Sequence, residues 1–283
     1  MGELSLRPTV YVSGSFDAIQ TPDIRFLEEA SKLGNVHLLL HSDKLHEEMS
    51  GEKPKFPQDE RRYYLQSIRF VDSLTLVENS GPETVFFSER MENYDGPKPF
   101  WAVREETTRP DFEEVCRKNG FVYRVIHDET LQGFPMPPTV PNSKNPPPKK
   151  VAVSGCFDWV HSGHVRFFEE ASAFGDLFVI VGHDANLRLL KGEGHPLFPE
   201  EERMYWVHSI RFVKQALVSS GDGWLDAAPE IMKIKPDFFV VNEDGDVPEK
   251  REFFRKHNIT YRVLKRKPKP GLPARVSTNL RGF

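Results

Sequence analysis

The chain has 283 residues, too many for one small domain and comfortable for two of ordinary size. Hydrophobic residues make up 38% and charged residues 28%, and no apolar run is long enough to span a bilayer, so membrane insertion is not expected. The formal charge of −4 argues against a bulk nucleic-acid surface, and Cys116 and Cys156 match no metal-ligand or disulfide pattern, which makes a reducing cytoplasm the expected compartment.

In chain order, the first half opens with VSGSFDAIQTPDIRFLEEAS from Val12, continues with FPQDERRYYLQSIRFV from Phe56, and reaches RKNGFVYRV at Arg117. GFPMPPTVPNSKNPPPKK follows; its seven prolines block helix and central strand and predict a semi-extended linker. The second half then repeats the first. VSGCFDWVHSGHVRFFEEAS starts at Val153, 141 residues after its counterpart, followed by FPEEERMYWVHSIRFV from Phe198 and RKHNITYRV from Arg255. Matches that keep their order predict a duplicated domain, with boundaries at 1–134, 135–148 and 149–283.

Each half reads as α/β. In the second, KKVAVSG is a short apolar run ending in glycine, as a buried strand does. HVRFFEEASAFG carries Val165, Phe168 and Ala171 at helical spacing. DLFVIVGHD predicts a strand, EEERMYWVHSIRFV a helix, KPDFFVV a strand, EKREFFRKHN a helix and TYRVL a strand. Strands alternating with helices imply α/β halves with a parallel sheet and crossover helices, whose ligands sit outside the carboxyl ends of the strands.

At such a place the first strand of the second half ends at Ser154-Gly155, and a loop leads to His161-Ser162-Gly163-His164 at a helix start. Ser162 is the expected N-cap. Free N–H groups there favour phosphate, and two histidines can donate hydrogen bonds as charge builds on it. Taken alone, the pair would read as one helix cap and one loop residue. The basic cluster Lys265, Arg266, Lys267, Lys269, Arg275 and Arg281 reads from composition as a solvated tail.

GCFDWVHSGHVRFFEEA resembles the signature of the cytidylyltransferase family, within the H-x-G-H nucleotidyltransferases. LLKGEGHPLFPEEER, SIRFVKQALV, KPDFFVV and RVSTNLR resemble further family segments in the family's order. The tandem arrangement resembles the ethanolamine-phosphate cytidylyltransferases. The resemblance implies two tandem Rossmann-like domains with parallel sheets, and CTP plus a phosphorylated alcohol giving a CDP-alcohol and pyrophosphate, with Mg²⁺ accompanying CTP. It implies that His161 and His164 stabilise the α-phosphate, that Lys191 holds phosphate oxygens of the alcohol substrate or of CTP, and that Ser277 and Thr278 bond the β/γ-phosphates. Gly155, Cys156, Phe157, Asp158, Asp184, Arg203, Arg211 and Arg266 would lie near the nucleotide, with Arg275 a rival to Arg266. Trp224 resembles a substrate-side tryptophan of the glycerol 3-phosphate branch.

Aligned with the second half, the first carries Gln20-Thr21-Pro22-Asp23 in place of the H-S-G-H residues and Ser50 in place of Lys191. The first domain is therefore expected to be degenerate, with Thr21 as helix cap and Asp23 putting negative charge where phosphate would lie. Relatives of this family act as dimers, which implies that the first half plays the partner subunit in a monomeric chain. Two other readings stand beside this one: an adenylyltransferase using ATP, favoured by Asn242-Glu243-Asp244 where the family has Gly-Asp-Asp, and a non-catalytic nucleotide-binding regulatory protein.

Overall fold

A computed structural model of the chain describes residues 7–78, 96–136 and 146–280, with the side chains of Thr278 and Asn279 outside the description. Arg281 and most of the proline-rich linker also lie outside the described residues. The chain divides into two compact units, 1–133 and 134–283.

In the first unit β1 (Thr9–Gly14), β2 (Asn35–His41), β3 (Ser73–Val77), β4 (Phe100–Arg104) and β5 (Val122–Ile126) form one sheet in the order β3-β2-β1-β4-β5. In the second, β6 (Lys150–Gly155), β7 (Asp176–Val181), β8 (Val213–Val218), β9 (Phe238–Asn242) and β10 (Thr260–Leu264) form the same sheet, ordered β10-β9-β6-β7-β8. Every pairing is parallel. The repeat survives in the register: Thr9 faces Asn35, and 141 residues on Lys150 faces Asp176.

The strands read as continuous apolar runs because helices cover both faces of the sheet. Val151, Ala152 and Val153 are wholly buried in β6, as are Val179, Ile180 and Val181 in β7. The two cores solve one packing problem with different side chains. Tyr11 faces Trp101 across β1 and β4, where Ala152 faces Phe239 across β6 and β9. Trp101 meets the Phe112 ring at 5.2 Å, and Phe239 stacks on Phe254 at 4.1 Å. A small residue on the central strand of the second unit thus accompanies a closer aromatic pair, which keeps the interior filled.

Two expectations about elements need correction. The helix read through Val213 stops at Ser209, and Val213–Val218 is a strand. No glycine or proline marks that break, and helix and strand share one apolar run. The helices Asp184–Lys191 and Ala228–Ile234 have no expected counterpart; at eight and seven residues they are too short to show a clear helical period. Among the described residues, no helix is long and apolar enough to cross a membrane.

Candidate active site

The strand order of the second unit reverses between β6 and β9, and the crevice outside the carboxyl ends of those strands is where an α/β sheet binds ligands. A cavity of about 280 Å³ opens there. One wall is the loop after β6 and the start of the helix Ser162–Ser172. The opposite wall follows β9, and Lys191 and Ser277 reach the cavity from two further segments.

His161, rather than Ser162, caps the helix. Its backbone is extended, and its Nδ1 accepts the N–H of Gly163 at 3.1 Å. That bond selects the tautomer: with Nδ1 accepting, Nε2 carries the proton. Nε2 lies 3.2 Å from the Ser277 hydroxyl. Gly163 is required by contact, since a Cβ there would stand 2.9 Å from Cε1 and 3.0 Å from Nδ1 of the same imidazole. The His164 ring lies 4.0 Å from that of His161, centroid to centroid. Its Nδ1 is buried and has no partner within the protein. Unpaired buried polar atoms are rare in folded proteins, and a ligand group is one ordinary way to satisfy them.

Phe157 holds His164 in place, its ring edge-on at 5.4 Å. It adopts a left-handed backbone (φ 50°), uncommon for a residue of its size. A Cβ on Gly155 would come within 2.9 Å of the Phe157 ring, so glycine is needed to seat it. Gly14 and Phe16 repeat this arrangement in the first unit, with φ 48° at Phe16 and the same 2.9 Å approach. The G-x-F spacing kept in both halves thus has a packing cause that does not depend on a ligand.

Both histidines are neutral at neutral pH. Burial, then His164, Arg266 and Arg275, push His161 down to about 2. Burial and then Arg266 push His164 down to about 4, opposed in part by its hydrogen bond with the Trp159 backbone; Lys191 adds a smaller push. The cations that disfavour imidazolium favour an anion in the same space. The site is therefore a desolvated, positively biased cleft lined by one imidazole donor, His161, and one imidazole with an open nitrogen, His164, suited to stabilising charge on phosphate oxygens.

The structure brings together Gly155, Cys156, Phe157, Asp158, His161, His164, Lys191, Arg266 and Ser277 around this cavity. Thr278 shares the turn Ser277–Leu280, with its side chain outside the described residues. Asp158 is buried, and Oδ1 accepts the N–H groups of Leu197 at 2.6 Å and Phe198 at 3.2 Å, so it fastens the loop that follows Lys191. Arg266 forms an ion pair with Asp244, and Arg266 and Arg275 both act on His161, so this part of the basic cluster belongs to the site and is not merely a solvated tail.

Four expected positions lie off the cavity wall. Arg203 is fully buried and donates to the carbonyls of Phe198 (2.9 Å), Cys156 (2.7 Å) and Gly182 (2.8 Å) and to the Asp184 carboxylate (2.6 Å). Those bonds consume most of its donors, so Arg203 and Asp184 brace the loops beneath the site. Arg61 and Asp43 form the same brace in the first unit, at 2.6 Å. Arg211 is exposed, and Trp224 is 53% exposed on the turn Gly223–Leu225. Asn242, which the motif pattern placed at the Gly-Asp-Asp position, lines the cavity, as do His195 and Lys250, which the pattern did not select.

In the first unit the helix Thr21–Leu33 has Gln20 at its cap, one residue before the expected Thr21. Asp23 Oδ2 accepts the Gln20 N–H at 2.9 Å, and Oδ1 lies 3.4 Å from Arg104. Burial pushes the Asp23 carboxyl up from its ordinary value. The helix end that would receive phosphate is thus already occupied by a carboxylate, which repels one.

The cytidylyltransferase-like family model matches residues 152–274. Over 120 residues the chain is 38% identical to the FAD synthase of Ferroglobus placidus, covering 41% of this chain and 75% of that protein. It is 35% identical over 123 residues to the FAD synthase of Archaeoglobus fulgidus, covering 42% and 85%. It is also 39% identical over 95 residues to the bifunctional protein HldE of Methylococcus capsulatus, covering 33% of this chain and 20% of that one.

Proposed function

The chain belongs to the cytidylyltransferase-like family of nucleotidyltransferases, and we propose that its second unit transfers a nucleotidyl group from a nucleoside triphosphate to a phosphate-bearing acceptor, releasing pyrophosphate. The observation that carries this reading is the imidazole pair at the helix start: His161 with its proton directed by Gly163, and His164 with an unpaired buried nitrogen. The acceptor phosphate oxygen attacks the α-phosphorus, the bond to the β-phosphate breaks, and pyrophosphate leaves. Such a transfer needs positioning and charge stabilisation more than a covalent nucleophile. His161 donates from Nε2 to the α-phosphate oxygens, and His164, whose other nitrogen bonds the Trp159 backbone, donates from Nδ1 once the bound triphosphate draws a proton onto it, while Lys191, Arg266, Ser277 and Thr278 hold the departing phosphates. Among the described residues, no three His, Cys, Asp or Glu side chains are placed to bind a metal. Mg²⁺ would arrive with the triphosphate, whose oxygens and waters supply most of its coordination.

ATP is the favoured donor. FAD is FMN joined to AMP, so the name of the FAD synthase relatives points to adenylyl transfer. Asn242-Glu243-Asp244 in place of the Gly-Asp-Asp of cytidylyltransferases agrees with a changed nucleotide. The second reading is CMP transfer from CTP to phosphoethanolamine, phosphocholine or glycerol 3-phosphate, supported by the tandem repeat.

Pyrophosphate release is measured with ATP or CTP against FMN, phosphoethanolamine, phosphocholine and glycerol 3-phosphate, beside a His164→Ala control. Release with ATP and one acceptor, lost in the control, is expected. Release with CTP alone would select the second reading. Release with no pair, or equal release in the control, would overturn transfer at this site.

A further inference from the structure

A second cavity, of about 240 Å³, adjoins the one that holds the histidines. Gly163, Phe167, Asn242 and Arg266 line both, so the two meet beside the start of the helix Ser162–Ser172. Their linings differ. The imidazoles and Lys191 belong to the first. The second adds Pro268, Ala274 and Val276, from the segment that follows β10, to the Phe167 ring. Two of its charged side chains, Arg166 and Glu170, are bonded to each other at 2.6 Å. Asn242 stands at the carboxyl end of β9, and its amide has no hydrogen bond to another described residue.

The stretch KPKPGLPA separates Arg266 from Arg275 and supplies Pro268 and Ala274 to this wall. Leu272 donates its N–H to the Lys269 carbonyl at 2.9 Å, with Pro270 and Gly271 (φ 85°) between them, the pairing a type II turn uses. Lys269 reaches back to Glu169 on the helix at 2.7 Å. The wall is thus formed before a ligand arrives, and binding does not have to order it.

During transfer the α-phosphorus carries the nucleoside, the departing pyrophosphate and the incoming acceptor. With the α-phosphate at the imidazoles, the nucleoside needs a space that adjoins them. A base has two apolar faces and a polar edge, and the second cavity offers apolar side chains and one uncommitted amide. We propose that this cavity receives the base of the donor nucleotide, that the segment Lys267–Ala274 builds it, and that it prefers a purine, whose second ring adds apolar surface to bury. The donor's role rests on the transfer reading, and the pocket itself is tested without turnover.

Calorimetry on the full chain compares α,β-methylene-ATP, α,β-methylene-CTP and tripolyphosphate, which carries the phosphates and no nucleoside. The ATP analogue is expected to bind about tenfold more tightly than the CTP analogue, the scale of one more apolar ring in contact. Val276 is 43% exposed, so Val276→Trp fills the cavity from its rim. It should weaken the ATP analogue at least about tenfold and leave tripolyphosphate within about twofold. Lys269→Glu, which cuts the tie to Glu169, should narrow the gap between the two analogues with tripolyphosphate again unchanged. Equal affinity for the two analogues in the unmodified chain, or a tighter CTP analogue, overturns the purine preference. An unchanged ATP analogue in Val276→Trp, or an equal loss of tripolyphosphate, overturns the pocket. Failure of pyrophosphate release with every pair would remove the transfer reading and leave the result of this titration standing.

Discussion

Gly163 and the two histidines act as one unit, because the glycine leaves room for the His161 ring to accept its N–H. An added methyl would meet that ring at 2.9 Å and drive it from the tautomer-selecting bond. Gly163→Ala should therefore lower kcat for pyrophosphate release by about 10²-fold, the scale of a small misplacement of a catalytic group, with the melting temperature nearly unchanged. Deleting a donor outright, as in His164→Ala, should cost about 10² to 10³ in kcat. Wild-type kcat in Gly163→Ala would show that the bond from Gly163 does not orient the ring.

The same histidines make stability depend on pH. They are neutral in the fold and titrate near 6.5 when unfolded, so below 6.5 the unfolded chain takes up protons that the folded chain refuses. Stability is full above about 6.5 and falls as pH drops from there towards 4, by up to about 1.4 kcal/mol per pH unit for each histidine. His41 in the first unit, also held neutral by burial, adds to the slope. The readout is therefore a difference: denaturant unfolding at pH 7.5 and pH 5 should show a smaller loss in His164→Ala than in the unmodified chain, and equal losses would count against a buried neutral His164.

At the scale of elements, a buried arginine in the same repeated position, Arg61 or Arg203, ties several segments of each unit together. Arg203 links the helix Glu200–Ser209 to the loop after β6, the end of β7 and Asp184. Arg203→Met leaves three carbonyls and a carboxylate without their donor. The expected loss is about 3 to 5 kcal/mol of stability, as for breaking a buried ion pair from one side. Denaturant unfolding measures it, and a loss below about 1 kcal/mol would show that water replaces the guanidinium. This arginine was legible in the sequence as a repeated position, but its role was not. A motif shows that a residue is kept, and burial decides whether a ligand can reach it. The same limit applies to Asp158, whose carboxylate is occupied by the N–H groups of Leu197 and Phe198.

At the scale of the whole molecule, the duplication supplies two sheets of one topology, and the second unit's cleft holds the H-S-G-H histidines. We propose that the chain, which carries both repeats itself, sediments as a monomer at micromolar concentration. A tight homodimer would overturn that. The duplication, the alternation of strands and helices, and the H-S-G-H residues at a helix start were legible in the sequence because each depends on neighbours within a few residues. The replacement of both histidines in the first half was legible for the same reason, through Gln20 and Asp23. What only the tertiary structure decided is which distant charges share the cleft. Lys191, Lys250, Arg266 and Ser277 come from four segments and meet because parallel strands deliver all their carboxyl ends to one edge. Side-chain burial was settled at that level too: it placed Arg203 beneath the site and Trp224 outside it, because packing across the sheet depends on long-range pairing rather than local spacing.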